Sequence, residues 1–379
     1  MNATRQGAVA ITGIGMITPL GDEPSDVLHR IQSGNSAATA PAGFDETAFP
    51  CPVCAPVKSF EPVCYVSEPK MVRLMNRDAQ LAVAAARRAL EDAGVKAGAF
   101  YQPEEVSLFG ATGLAGLPLR EIVPLVRAST GLEGGFDLTR FGQAGLKAVS
   151  PILSFKILSN MPLCFVSINE NIQGPNAIYT PWEGDGAQAI EGGVRALATG
   201  EARCALVGGC DVKIHEMAFA TLHQHGLFAS WSAAGNGMFP GEGAAFLVLE
   251  TAETAKARGA HIYGLVAELN LRPHSRGEEI GRTRSKILRA LTVGSVDALV
   301  SSKDGDALQD RQKEQILDAA GITAKEIVCP KKHLGNLFAA AGPLQLALAA
   351  ALTNAGRGGV LANCFGYGST QASFLLTTA

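Results

Sequence analysis

An α/β architecture in layers, with sheets covered on both faces, follows from three features of the 379-residue chain. Short apolar runs recur without polar alternation, which is how a strand reads when both of its faces are buried. Alanine- and glycine-rich helical stretches separate these runs, and small side chains let a helix lie close on a sheet. The plan strand, glycine turn, strand occurs once in mid-chain and once at the end, which points to two related halves. The 379 residues exceed the roughly 100 to 200 of a typical single domain. Hydrophobic residues make up 47% of the chain, enough for a large core.

Residues 8–22, AVAITGIGMITPLGD, begin as an apolar strand that Gly13 and Gly15 are expected to break. The GIG triplet invites a dinucleotide-binding reading, but that site needs a helix directly after the glycines, and Thr18-Pro19-Leu20-Gly21 reads as a turn. In residues 76–94, Asn76 caps a helix, Asp78 lies in its first turn, Leu81, Ala85, Ala89 and Ala93 recur at helical spacing, and Gly94 ends it. EVSLFGATG (105–113) and NAIYT (176–180) are strands, the second turning sharply into the helix GAQAIEGGVRALATG. ARCALVGGCD (202–211) reads as a strand ending in Gly-Gly, followed by a helical segment and the strand GEGAAFLVLE (241–250). The helix FAAAGPLQLALAAALTNAG and the strand, turn and strand of GGVLANCFGYGSTQASFLLTT repeat that plan. The join falls near residues 251–259 and divides the chain into 1–250 and 251–379. Residues 41–69, rich in proline and cysteine, and 131–143, rich in glycine, are expected to run over the surface.

Charge is nearly balanced, 32 Lys plus Arg against 35 Asp plus Glu, so no field draws in nucleic acid or an anionic membrane. The start lacks the basic flank and apolar stretch of a secretory signal, and no run has the length of a membrane helix; a cytoplasmic location is expected. Of the eight cysteines, those in apolar runs, such as Cys164 and Cys204, read as small buried hydrophobes. Cys51 and Cys54 form a CxxC with no second CxxC or paired histidine at the usual distance, and His223 and His225 have no identifiable third ligand, so no metal is expected.

These stretches, in this order, resemble the β-ketoacyl synthase family of the thiolase-like superfamily. The pieces that carry the resemblance are AVAITGIGMITPLGD, AAARRALEDAG, GPNAIYTPWEGDGAQAI, ALVGGCD, MFPGEGAAFLVLE, GNLFAAAGP and NCFGYGSTQASFLL, and they cover nearly the whole chain. The resemblance implies a thiolase-like layered α-β-α-β-α fold of two related halves. Family members join a carrier-bound acyl chain to a malonyl unit with loss of carbon dioxide, using a cysteine at the strand-to-helix turn and two histidines. A thiolate at a helix N-terminus is stabilised there, and the imidazoles stabilise the charge that develops in condensation.

Carried onto this chain, the nucleophile position falls on Glu183, three residues before Gly186. The first histidine position falls on Ser302 in VSSKDGDALQD, and the second on Asn336 in PKKHLGNLFAAAG. Lys331 alone matches the family, as the lysine that accompanies the second histidine. His333 lies in the wrong register to replace that imidazole. A carboxylate cannot form the thioester that condensation requires, so a Glu183–Lys331 ion pair filling the old site is expected. Family members that only decarboxylate carry glutamine at the nucleophile position but keep both histidines, which excludes that activity too. The glycine-rich gate is matched by FGYGST, with Phe365 and Tyr367 at its aromatic positions. The chain is shorter than is usual for the family, and SWSAAGNGMFPGEG lacks the charged, aromatic-containing run that normally precedes GEG.

The resemblance therefore implies a chain-length factor, the inactive subunit that pairs with an active ketosynthase in type II polyketide, aryl-polyene or fatty-acid-type assembly. Its partners would be that ketosynthase, in a heterodimer joined through the strand at 176–180, and an acyl carrier protein. Cofactors are not implied, because carrier thioesters bring their own activated carbon. Tunnel and gate positions are Trp182, Phe136, Phe141, Phe365 and Tyr367, with residues 152–165 nearby; a tryptophan in a packed turn also reads as plain core. Two alternatives stay open: an independent acyl-thioester hydrolase or acyltransferase using Glu183, and a homodimeric acyl-binding protein.

Overall fold

The computed structural model describes residues 8–42, 53–114, 116, 119–227, 237–275 and 278–379. Ten strands lie in one ladder: β1 (Val9–Ile17), β2 (Val106–Thr112), β3 (Asn176–Tyr179), β4 (Cys204–Val212), β5 (Glu242–Thr251), β6 (Gly264–Pro273), β7 (Ser295–Val300), β8 (Thr323–Val328), β9 (Gly359–Cys364) and β10 (Thr370–Thr377). The order is β3-β2-β4-β5-β1 and then β6-β10-β9-β7-β8. Read outward from the centre, both arrays place first, fifth, fourth, second and third strands in the same sequence. Pairing directions repeat as well: the second strand is parallel to the third and fourth, and the fifth antiparallel to the first and fourth. Among the described residues, strand pairing joins the arrays only where Val9 to Ile11 of β1 run antiparallel to residues 264–266 of β6.

Helices fill the remaining layers. The helix Arg77–Asp92 covers the outer face of the first array, and Ile280–Arg289 packs on β6 and β10 of the second. Between the arrays, Glu183–Thr199 and Ala341–Asn354 pack on each other and on strands of both. Burial on two faces explains the unbroken apolar runs: in β5, Ala245, Leu247 and Leu249 enter the middle core, while Ala244, Phe246 and Val248 enter the outer one. The cap expected at Asn76 is present, its side chain accepting from the Ala79 amide at 2.9 Å, and Gly94 leaves the helix at φ +63.

Glycine was misread at two places. Gly13 and Gly15 do not break the first strand, which continues to Ile17 with one register shift between Ile11 and Gly13. They lie under the Arg77–Asp92 helix, where a Cβ on Gly15 would stand 2.0 Å from the Ala85 carbonyl oxygen. β4 likewise runs through Gly208 and Gly209 to Val212, because a side chain at 209 would strike the Ala339 carbonyl at 2.5 Å. In each case glycine permits a close approach of two backbones within a regular strand. The turn at Thr18–Gly21 is present, closed by reciprocal backbone hydrogen bonds of 3.0 and 3.2 Å.

Of the two surface excursions, 131–143 is largely exposed. Cys51 lies outside the described residues; Cys54 is buried, its backbone bridged to Thr39, and Ala55 pairs with Gly241. Cys204, Cys210 and Cys364 are buried as well, whereas Cys64 is exposed. Among the described residues no helix is long and apolar enough to cross a membrane, and no cluster of three His, Cys, Asp or Glu could hold a metal.

Candidate functional site

β3 ends at the sharp turn foreseen at 180–182, and the next helix begins on Glu183. The start is tied down by Asp185, whose carboxylate accepts from the Trp182 amide at 2.7 Å. Glycines on and around the first turn bring three elements together: a Cβ on Gly184 would meet the Thr370 carbonyl at 2.2 Å, and one on Gly366 would meet the Glu183 carboxylate at 1.8 Å. Glu183 is therefore sealed, with 1% of its surface exposed.

Both of its carboxylate oxygens are engaged. Lys331 donates to Oε2, and the Asn336 amide donates to Oε1 at 2.7 Å, with the Tyr367 backbone amide at 3.4 Å. Lys331 and Asn336 are equally buried, and the Asn336 oxygen accepts from the Phe338 amide at 2.9 Å. Burial alone would raise the Glu183 pKa, but the Lys331 ammonium and the Asn336 amide outweigh it and hold the carboxyl below its ordinary range. The carboxylate is thus an ion whose two oxygens already accept hydrogen bonds from Lys331 and Asn336. Three of the four positions singled out in the sequence meet in this one cluster. The fourth, Ser302, lies just past β7 and is also buried, and its carbonyl accepts from Lys313 at 2.9 Å. His333 turns away and reaches the Asn35 carbonyl at 2.7 Å.

The aromatic positions divide. Trp182 is half-buried, its ring 6.0 Å from His225 and 6.4 Å from Phe338, which in turn stacks on Tyr367 at 6.3 Å. Trp182 lines a cavity of about 230 Å³ with Leu114, His215, Met217, Leu222 and His225. His225 is thus an aromatic neighbour of Trp182. Phe365 does not line an opening: it is 1% exposed and packs with Leu361, Leu375, Ile287 and Leu288 in the outer core of the second array. Phe136 and Phe141 touch each other at 5.6 Å on the surface, Phe136 being 69% exposed, so neither lies in a channel inside this chain.

A second buried polar group reads in the sequence only as the acid of a helix's first turn. Asp78 is 2% exposed, and burial, reinforced by the Asp211 carboxylate, pushes its pKa up to about 7. Between its ordinary value of 3.8 and that value, the folded chain keeps a proton that the unfolded chain has released, so stability falls as pH rises through this window. Asp78→Asn keeps an oxygen for the Asn76 amide, which stands at 3.3 Å, and removes the charge. At pH 8 the substitution is expected to add roughly 2 kcal/mol to the unfolding free energy, with little gain at pH 4. Urea denaturation at the two pH values measures both numbers.

The family model for the N-terminal domain of β-ketoacyl synthases matches residues 6–255. The tetracenomycin polyketide synthase ketoacyl synthase beta subunit of Streptomyces glaucescens is 24% identical over 367 residues, covering 90% of this chain and 84% of that one. The 3-oxoacyl-(acyl-carrier-protein) synthase 2 of Coxiella burnetii is 29% identical over 266 residues, 67% of this chain, and the match spans 60% of that enzyme's length. Among solved structures, the ishigamide ketosynthase/chain length factor superposes with a TM-score of 0.80 at 22% identity, covering 99% of this chain and 100% of that one. A β-ketoacyl synthase from Burkholderia phymatum also reaches 0.80, at 19% identity over 98% of this chain and 100% of that one. At these identities the superpositions speak for the fold, thiolase-like and two-halved, and the family match over more than half of the sequence decides membership: this chain belongs to the β-ketoacyl synthase family.

Proposed function

We propose that this chain is a non-catalytic ketosynthase-like subunit, a chain-length factor that pairs with an active β-ketoacyl synthase and shapes the path of a growing acyl chain. The observation that carries the reading is the nucleophile position itself, a sealed glutamate with both oxygens committed to Lys331 and Asn336 where the family carries a cysteine and a histidine. Such a centre cannot hold an acyl thioester.

Two further features support a partner. β3 is the edge of the ladder, and exposed apolar side chains gather between residues 114 and 168, among them Leu132, Leu138, Phe155 and Ile168. Exposed apolar side chains and an open strand edge are both costly in an isolated protein. Phe136 and Phe141 lie in the same stretch, where they could wall a channel only together with a second subunit; Trp182 and Tyr367 stand at the inner end. In this reading residues 1–250 supply the pairing face and the silent turn, and 251–379 supply Lys331, Asn336 and the glycine loop. The carrier-bound acyl chain reaches the pair on an acyl carrier protein, for polyketide, aryl-polyene or fatty-acid-type synthesis.

Co-expression with the ketosynthase encoded nearest to it tests the proposal, by assaying malonyl-carrier condensation for the pair and for each subunit. Only the pair is expected to turn over, and Glu183→Gln within it should keep the rate within about threefold, about 0.6 kcal/mol in barrier. Turnover of an acyl thioester by this chain alone, abolished by Glu183→Gln, would replace the partner reading with that of an independent enzyme.

A further inference from the structure

Behind the glycine loop that follows β9 lies a cavity of about 160 Å³, lined by Ile280, Arg284, Asp304, Gln309, Lys313 and Tyr367 together with the glycines at 366 and 368. It has room for about five water molecules. Arg284, from the Ile280–Arg289 helix, is 2% exposed. Its Nε donates to Gln371 at 3.0 Å and its Nη2 reaches the Gly366 carbonyl at 3.4 Å, but Nη1 has no hydrogen-bond partner. Lys313 is as deeply buried, and its one hydrogen bond of ordinary length goes to the Ser302 carbonyl; Asp304 and Asp310 stand 3.7 Å away. An ammonium has three donors, so Lys313 also keeps unused capacity.

The wall carries buried charge of both signs. Arg284 and Lys313 supply two positive charges and Asp304 one negative. Of the neighbouring carboxylates, Glu183 is engaged by Lys331 and Asn336, and Asp310 is shared between Lys332 at 3.0 Å and Lys313 at 3.7 Å, so the donor left with no partner is Arg284 Nη1. A surplus buried cation is costly unless an anion or further hydrogen bonds answer it. Burial lowers the pKa of Arg284 to about 10 and lowers that of Lys313, with Lys331 and Arg284 adding to the second effect.

The geometry points to a binding site for a small monocarboxylate in this cavity, held by Arg284 and Lys313. A carboxylate would answer the unpartnered Arg284 Nη1, and the planar guanidinium fork suits it better than a spherical ion. A phosphate dianion brings a second negative charge against Asp304, which lines the same cavity. Because Arg284 and Gln371 both hold the Gly366 carbonyl, an occupant also braces the loop whose Tyr367 amide faces Glu183. The inference is independent of the partner reading.

Acetate is the probe, used on the full chain together with any ketosynthase that co-purifies with it. Acetate is expected to raise Tm saturably, as ligand binding to the folded state requires, while chloride and phosphate at equal ionic strength do not. Ligand-observed NMR should show saturation transfer to the acetate methyl group. Gln309→Trp fills the cavity from a half-buried position and should remove both signals without changing the circular dichroism. Arg284→Gln should weaken acetate binding at least tenfold. An equal response to chloride, or unchanged acetate binding in either folded variant, overturns the site. Should neither variant fold, wild-type crystals soaked in 3-bromopropionate decide: bromine density in the cavity supports the site, and its absence there overturns it.

Discussion

Glu183→Leu is expected to destabilise the folded chain by about 3 to 5 kcal/mol, and adding Lys331→Met to restore most of that loss. The asymmetry follows from burial. Lys331 is 3% exposed and donates to Glu183, so removing the carboxylate strands an ammonium where water cannot reach it. Replacing both ions by apolar groups of similar volume removes the charge problem altogether, leaving the Asn336 side-chain amide and the more distant Tyr367 backbone amide without their former acceptor. A double-mutant cycle by urea unfolding reads the coupling directly. The sign with pH is set by the depressed Glu183 pKa: its contribution is complete above the ordinary 4.5 and is lost as pH falls through the lower folded value. The gap between wild type and Glu183→Leu should therefore close in acid. If Glu183→Leu is no less stable than wild type, or the second substitution adds its own full cost, Glu183 and Lys331 do not act as a structural pair. A glutamate kept for acid or base chemistry would instead show loss of turnover with little loss of stability, the exchange often found at catalytic groups.

The legible parts of this site are those set by local rules. Glu183 stands where a strand turns into a helix, and Lys331 and Asn336 lie in one short segment, so spacing alone places them. Arg284 and Lys313 carry no such mark, since they come from separate helices whose exposed faces are charged and amidic and look like solvated surface. Only the tertiary packing turns those two inward. Asp78 reads as an ordinary first-turn acid favouring a helix start, yet the helix lies so close on β1, β4 and β5 that the same residue is buried beside Asp211. Gly13 and Gly15 mislead for the same reason: the cause of each glycine is a backbone some seventy residues away, invisible to any window along the chain. Phe365 was placed at a gate from its position in the glycine loop, but which way a loop side chain points is decided by its neighbours, here Arg284 at 5.7 Å above the ring.

The proposed pairing through β3 has an equally large expected effect, and the strand's own hydrogen bonding says which residue tests it. Within a strand the amide and carbonyl of one residue point the same way, and successive residues alternate. The Pro175 carbonyl accepts from the Leu108 amide of β2 at 2.9 Å, so residues 175, 177 and 179 face β2 while Asn176 and Ile178 face the open edge. Asn176 is exposed and begins the strand, a place where proline is tolerated. Asn176→Pro therefore removes an edge donor and sets a ring against any incoming strand, while the β2 ladder and the core stay intact. With the ketosynthase partner, affinity is expected to fall at least about 100-fold, about 3 kcal/mol, measured by analytical ultracentrifugation or calorimetry. Leu158→Asp, at a side chain 49% exposed in the apolar stretch, probes the flanking surface independently and should weaken pairing in the same sense. A partner that still binds Asn176→Pro with wild-type affinity does not add a strand to this edge. A loss with Leu158→Asp alone would then place the contact on the apolar helices, and the channel would have to run along their face, past Phe136 and Phe141, instead of beside β3.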